Sequence, residues 1–180
     1  MKRDAALFFL GAWILGLLAM AAVAMQNFYT IDTLLETLPN PAFARGVEVL
    51  DSASDADGVP TARELLRYLS SELNRLFFWG WGIAEVGLGL LVVWLLWDGP
   101  QRRVRWAGVA MLVLAMVLTF GLTPPIVNVG RALDFVPRDP SPPQLATFGL
   151  YHAAYSVIDG VKLVLGLLMV FWIARGGRSS

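Results

Sequence analysis

Four residues in the last apolar run, His152, Tyr155, Asp159 and Lys162, follow one another at steps of three, four and three. On a helix that spacing brings them onto one face. Glu85 stands in another apolar run, flanked by glycine and aliphatic residues. Acids and bases of this kind pass protons, bind ions or hold one another, and each is expensive in an apolar medium. Counted inward from the outer surface, Glu85, Asp159 and Lys162 lie about nine, eleven and fourteen residues deep, or about 14, 17 and 21 Å at ~1.5 Å per residue. Lys162 is therefore expected to face Glu85, Asp159 or both. Two carboxylates against one ammonium leave an excess negative charge, which a proton on one acid would remove. The cluster is either a structural ion network that sets helix register, a proton relay or ion-coupled site, or a contact with a charge on a partner protein. His152, nearer the outer end, is a hydrogen-bonding partner, an extension of a proton path, or a soft-cation ligand with Met20 or Met25.

Asn128, Arg131 and Asp134 form a second group, again at steps of three. Arg131 either clamps an anionic group such as a lipid phosphate or carboxylate, with Asn128 beside it, or closes a loop by pairing with Asp134. Other chemistry is poorly supported. The chain has no cysteine, so it carries no thiolate or disulfide framework, and its single histidine excludes a multi-histidine metal or haem site within one chain. No catalytic triad spacing is present, and the sequence leaves any cofactor unknown. Gly80, Gly82, Gly87 and Gly89 sit inside an apolar run, where they permit close helix packing rather than phosphate binding. A formal net charge of zero removes the electrostatic case for nucleic acid.

The elements that must position these residues are membrane helices. Of the 180 residues 57% are hydrophobic and 16% charged, and the mean hydropathy of +0.61 is more than a soluble domain of this size can bury. The expected fold is all-α, one integral membrane domain over 1–180, with four spans at about 5–25, 76–97, 106–123 and 148–174. The first run also resembles a signal peptide, with Lys2-Arg3 before it and Ala22-Val23-Ala24 at its end. Its length favours an uncleaved helix, in which Ala12, Gly16 and Ala19 make a small-residue strip.

Residues 26–75 are expected to form an extramembrane cap. Phe28, Ile31, Leu34, Leu35 and Leu38 have helical spacing, Thr33 and Glu36 fit a capping box, and Pro39-Asn40-Pro41 stops the element. Asp51–Gly58 reads as a solvated acidic linker. Thr61 and Glu64 then open one long helix from about 61 to 97, which ends at Asp98-Gly99-Pro100. Trp97 and Trp106 flank the following basic turn as interfacial anchors, and Thr123-Pro124-Pro125 ends or kinks the third span. A Pro-rich connector over 137–143 leads to the fourth. With four spans, Lys2, Arg3, Arg102, Arg103, Arg105, Arg175 and Arg178 all fall on one side, which places both termini in the cytoplasm at an inner (plasma) membrane.

Thr123-Pro124-Pro125, Arg131, the Pro-rich connector and Phe148, His152 and Tyr155, with Leu73-Asn74-Arg75 earlier in the chain, carry a resemblance. The stretch Leu122–Gly166 resembles the second half of small bacterial four-helix membrane proteins of unknown function, distant relatives of copper-resistance D-like membrane proteins. The resemblance implies a four-helix bundle and metal handling.

Three functions follow from these readings. One is a non-catalytic accessory or structural subunit, with the lipid bilayer and a membrane-protein partner or a second copy as its contacts. Another is a small transporter or proton/metal-coupled protein built on Glu85, Asp159 and Lys162. The third is a membrane enzyme acting on lipid or quinone.

Overall fold

A computed structural model describes residues 2–57 and 59–176; Gly58, and Arg178 of the basic tail, lie outside the described residues. The described chain is helical without a strand: α1 Lys2–Thr37, α2 Pro41–Asp57, α3 Ala62–Leu96, α4 Arg102–Met116, a π-helical segment Val117–Leu122, α5 Thr123–Arg131 and α6 Gln144–Gly176. Four helical stretches, Lys2–Thr37, Ala62–Leu96, Arg102–Arg131 and Gln144–Gly176, are long and apolar enough to cross a membrane. They pack as a ring in which α1 touches α3 and α6, and α4 touches the same two, leaving α3 and α6 diagonal to each other. The protein is an all-α polytopic membrane bundle. Its apolar core lies toward the end that holds both termini, where Leu10, Trp13, Val92, Met111, Met169 and Ile173 interlock.

The first helix is longer than the sequence indicates. The expected span and the expected amphipathic helix are one element, and the Thr33–Glu36 capping box does not form. Thr33 is mid-helix and its hydroxyl donates to the Tyr29 carbonyl at 3.0 Å. No breaker separates Met25 from Phe28, so the helix runs until Leu38, which adopts φ 41° and turns the chain out ahead of Pro39. Pro39-Asn40-Pro41 is also a start. Asn40 Oδ1 accepts from the amides of Ala42 at 2.8 Å and Phe43 at 3.3 Å, and Pro41 occupies the first helical position, where its missing N–H costs nothing. The expected acidic linker is consequently helical as far as Asp57. Asp51 is not idle, because its Oδ1 accepts from the Ala62 amide at 3.1 Å and caps the next helix.

At the start of α3 the capping box is present as read from the sequence. Thr61 Oγ1 accepts from the Glu64 amide, and Glu64 Oε2 accepts from the Thr61 amide at 2.9 Å. The third span does not end at Thr123. Pro124 and Pro125 lack the N–H groups that would close the preceding α-turns, and their rings crowd those carbonyls. Widening to π-helix over 117–122 accommodates them, with Thr123 Oγ1 donating to the Leu118 carbonyl at 2.9 Å, and helix resumes through Arg131.

Helix contact in lipid relies on close van der Waals fit, and two of the four expected glycines supply it. Gly82 and Gly89 are buried against α4 and the π-segment, whereas Gly80 and Gly87 face open space. A Cβ at Gly89 would stand 2.9 Å from Leu112 Cδ1 and 3.0 Å from the Trp13 ring. Replacing Gly89 by Ala is expected to destabilise the bundle by about 1–3 kcal/mol, as overpacking does. Gly87→Ala, two residues away, should be neutral or stabilising by up to ~1 kcal/mol through helix propensity. Reversible unfolding in mixed micelles measures both.

Candidate functional site

The polar groups expected to meet do meet, across the diagonal of the ring. Glu85 of α3 is 1% exposed and Lys162 of α6 is 0% exposed. Lys162 Nζ donates to both carboxylate oxygens of Glu85, at 2.8 Å to Oε1 and 2.7 Å to Oε2. Asp159, one turn earlier on α6 and partly accessible, places Oδ1 at 2.7 Å from the same ammonium, an ion pair whose direction is not that of a hydrogen bond. The Tyr155 ring packs edge-on against Phe78, with ring centroids 5.7 Å apart, and its hydroxyl lies by Thr123 and within electrostatic reach of Asp159 and Glu85. A buried charge is tolerable only when its partners are close and its hydrogen-bonding capacity is used, and here one ammonium meets two carboxylates.

Sequence reasoning missed the third partner. Trp13 Nε1 on α1 donates to Glu85 Oε1 at 2.8 Å, so the cluster joins three helices. The available signal was depth. Trp13 lies about eight residues, or ~12 Å, inside its apolar run, away from the interface where tryptophans gather, and its N–H needs an acceptor there.

His152 does not belong to the buried cluster. Ten residues of helix carry it ~15 Å along the axis from Lys162, out of reach of the cluster. It is exposed and stacks on Phe148, with ring centroids 6.0 Å apart. Among the described residues no three His, Cys, Asp or Glu side chains gather as a metal site, and Met25 is itself exposed.

The second group lies where α3 meets α5. Arg131 reaches Glu72 Oε2 at 3.4 Å rather than pairing with Asp134. Asp134 is taken by Arg75, whose Nη2 donates to its Oδ1 at 2.9 Å, while Arg75 Nη1 donates to Glu72 Oε1. The reason is reach. The turn after Arg131 folds Asp134 back toward α3, where Arg75 is held half-buried between two acids. The Glu72 carboxyl is held below the ordinary glutamate range, first by the hydrogen bond from Arg131 and then by that from Arg75. Beside these groups opens a cleft of about 430 Å³, and Asn128 lines it together with Arg131.

Compared with protein families, with curated proteins and with solved structures, the chain finds no match.

Lys162→Met should cost about 3–5 kcal/mol, because it leaves Glu85 as an uncompensated buried charge. The double variant with Glu85→Gln should lose clearly less than the sum of the two single losses, since neither buried charge then lacks its partner. A double-mutant cycle on micellar unfolding reads the coupling.

Proposed function

We propose that this multi-pass membrane protein is a non-catalytic accessory or structural subunit of a membrane assembly. The carrying observation is an exposed apolar ridge above the bundle. Leu65, Leu69 and Leu73 recur every four residues on α3, each more than a third exposed, and Leu69 is 55% exposed. Arg75 stands about 33 Å from Trp97 along the helix, one hydrocarbon thickness of roughly 30 Å. On that scale Leu65 lies about 15 Å beyond the apolar layer, where exposed leucines are unfavourable unless a protein covers them. α1 braces this part of α3 through Asp32 with Arg63, and through Asn27 Nδ2 donating to Asn74 Oδ1 at 2.6 Å. The ridge is thus presented on a rigid helix pair.

The membrane in question is an inner (plasma) membrane, with both termini cytoplasmic. Support comes from one basic end of the bundle. Lys2 pairs with Asp98 at 3.0 Å, Arg105 stacks over Trp97 and Arg103 over Trp172, so the N-terminus, the α3–α4 turn and the end of α6 share one face. Native mass spectrometry on protein gently extracted from its own membranes tests the subunit reading. A stoichiometric partner chain is expected with the natural sequence and should be lost from Leu69→Ser at unchanged yield. A lone chain in both samples would refute the reading.

A second reading, proton-coupled transport, is favoured by Asp159, whose side chain is 26% exposed while the Lys162 ammonium it touches is fully buried. A carboxylate that reaches the bundle surface beside a buried base is an arrangement a proton relay can use. In proteoliposomes with an internal pH dye, this reading expects a proton leak that Asp159→Asn abolishes without loss of yield. Identical traces would exclude it.

A further inference from the structure

We propose that the cleft between α3 and α5 binds the headgroup of a phospholipid bearing a primary ammonium, of the phosphoethanolamine type. The lipid lies in the leaflet opposite the Arg102–Arg105 turn. This inference is independent of the partner reading and uses different residues.

The position of the cleft is that of a headgroup. Arg75, in its wall, marks the boundary of the apolar layer by its distance from Trp97, and the cleft extends to both sides of it. Its lining is graded along the helix axes. Glu72, Asn128 and Arg131 form the rim, and Leu76, Trp79 and Val127 form the deeper part. Glu72 and Trp79 are seven residues apart, about 10 Å along α3. A phospholipid has the same order, a charged head above a glycerol backbone and acyl chains.

The charge pattern of the rim selects the head. Arg75, in the wall, is paired with Asp134 outside the lining, so the charges that face the cleft are Arg131 and the Glu72 it touches, and these give no net charge to favour a simple anion. The wall is instead dipolar. Arg131 is 59% exposed on its side chain and spends one N–H on a long 3.4 Å contact with Glu72, which leaves most of its fork for a phosphate. Asn128 adds an exposed carboxamide that makes no side-chain hydrogen bond among the described residues. Arg75 is committed to two acids and holds Glu72 in place. Glu72 Oε2, which receives only the long contact, keeps accepting capacity for an ammonium. A primary ammonium donates hydrogen bonds to it; a quaternary one cannot. The phosphate therefore sits at Arg131 and Asn128 and the ammonium at Glu72, with the first part of an acyl chain along Leu76 and Trp79.

The full chain, purified in a mild detergent and stripped of lipid, is titrated with phosphatidylethanolamine, phosphatidylglycerol, phosphatidylcholine or inorganic phosphate and read by native mass spectrometry. One phosphatidylethanolamine per chain is expected, held about tenfold more tightly than either other lipid, the difference of roughly one charge-assisted hydrogen bond. Arg131→Ala and Asn128→Ala, both at exposed positions, should each weaken it several-fold to about tenfold while helicity and unfolding midpoint stay unchanged. Equal or tighter phosphatidylglycerol binding would overturn the dipolar headgroup. Displacement of the lipid by inorganic phosphate at matched concentration would overturn the lipid, and undiminished binding in both variants would overturn the site.

Discussion

The ion pair between Glu85 and Lys162 is the contact on which the bundle depends, because, with the Tyr155–Phe78 ring contact beside it, it joins the two helices that stand diagonal in the ring. Helices already in lipid gain nothing by hiding leucine from leucine; they associate through fit and through polar groups that must find each other. Both charges here are fully out of solvent, so each helix carries a strong requirement for one position of the other. A slip of one turn, about 5.4 Å, would part ammonium from carboxylate in an apolar medium. Trp13 extends the same constraint to α1, since its indole N–H and Glu85 are each other's buried partner.

The remaining architecture divides around that level. Toward the termini the contacts are apolar and close, with Gly89 admitting Leu112 and Trp13, and Gly166 admitting Ile14 and Met111. Toward the other end the helices are polar and longer than a bilayer needs. There the stabilising contacts change to ion pairs and amide hydrogen bonds such as Asp32 with Arg63 and Asn27 with Asn74. The π-helical turn lies between the two regimes. By absorbing Pro124 and Pro125 without breaking the helix, it carries Asn128 and Arg131 upward in helical register and sets Arg131 opposite Glu72. Two prolines that read as an end or a kink thus position one wall of the cleft.

How much was legible depended on whether a signal was local. Thr61 and Glu64 satisfy each other within one turn, so their capping box could be read directly and is present. Asn40 before Pro41 is an equally local start signal, but the neighbouring stop conceals it, so the acidic stretch after Asp51 reads as linker where α2 runs on to Asp57. The face shared by Tyr155, Asp159 and Lys162 is legible because helical spacing is strict; His152 is on the same side of the helix but stands ~15 Å along the axis from Lys162, away from the level of the cluster. Arg131 had two acids within reach, and sequence proximity favoured Asp134 over the Glu72 that it meets.

Composition and the length of apolar runs by themselves determined an all-α membrane protein with four spanning helices, because a bilayer admits few other ways to satisfy the backbone. Charge depth likewise determined that Lys162 needed an acid. The tertiary structure alone decided that Glu85 is the acid that meets it with both oxygens, that Trp13 completes the set, and that Arg75 and Arg131 exchange partners across the cleft. Those pairings depend on which helices are neighbours and at what height, and helix order around a ring leaves no periodic trace along the chain.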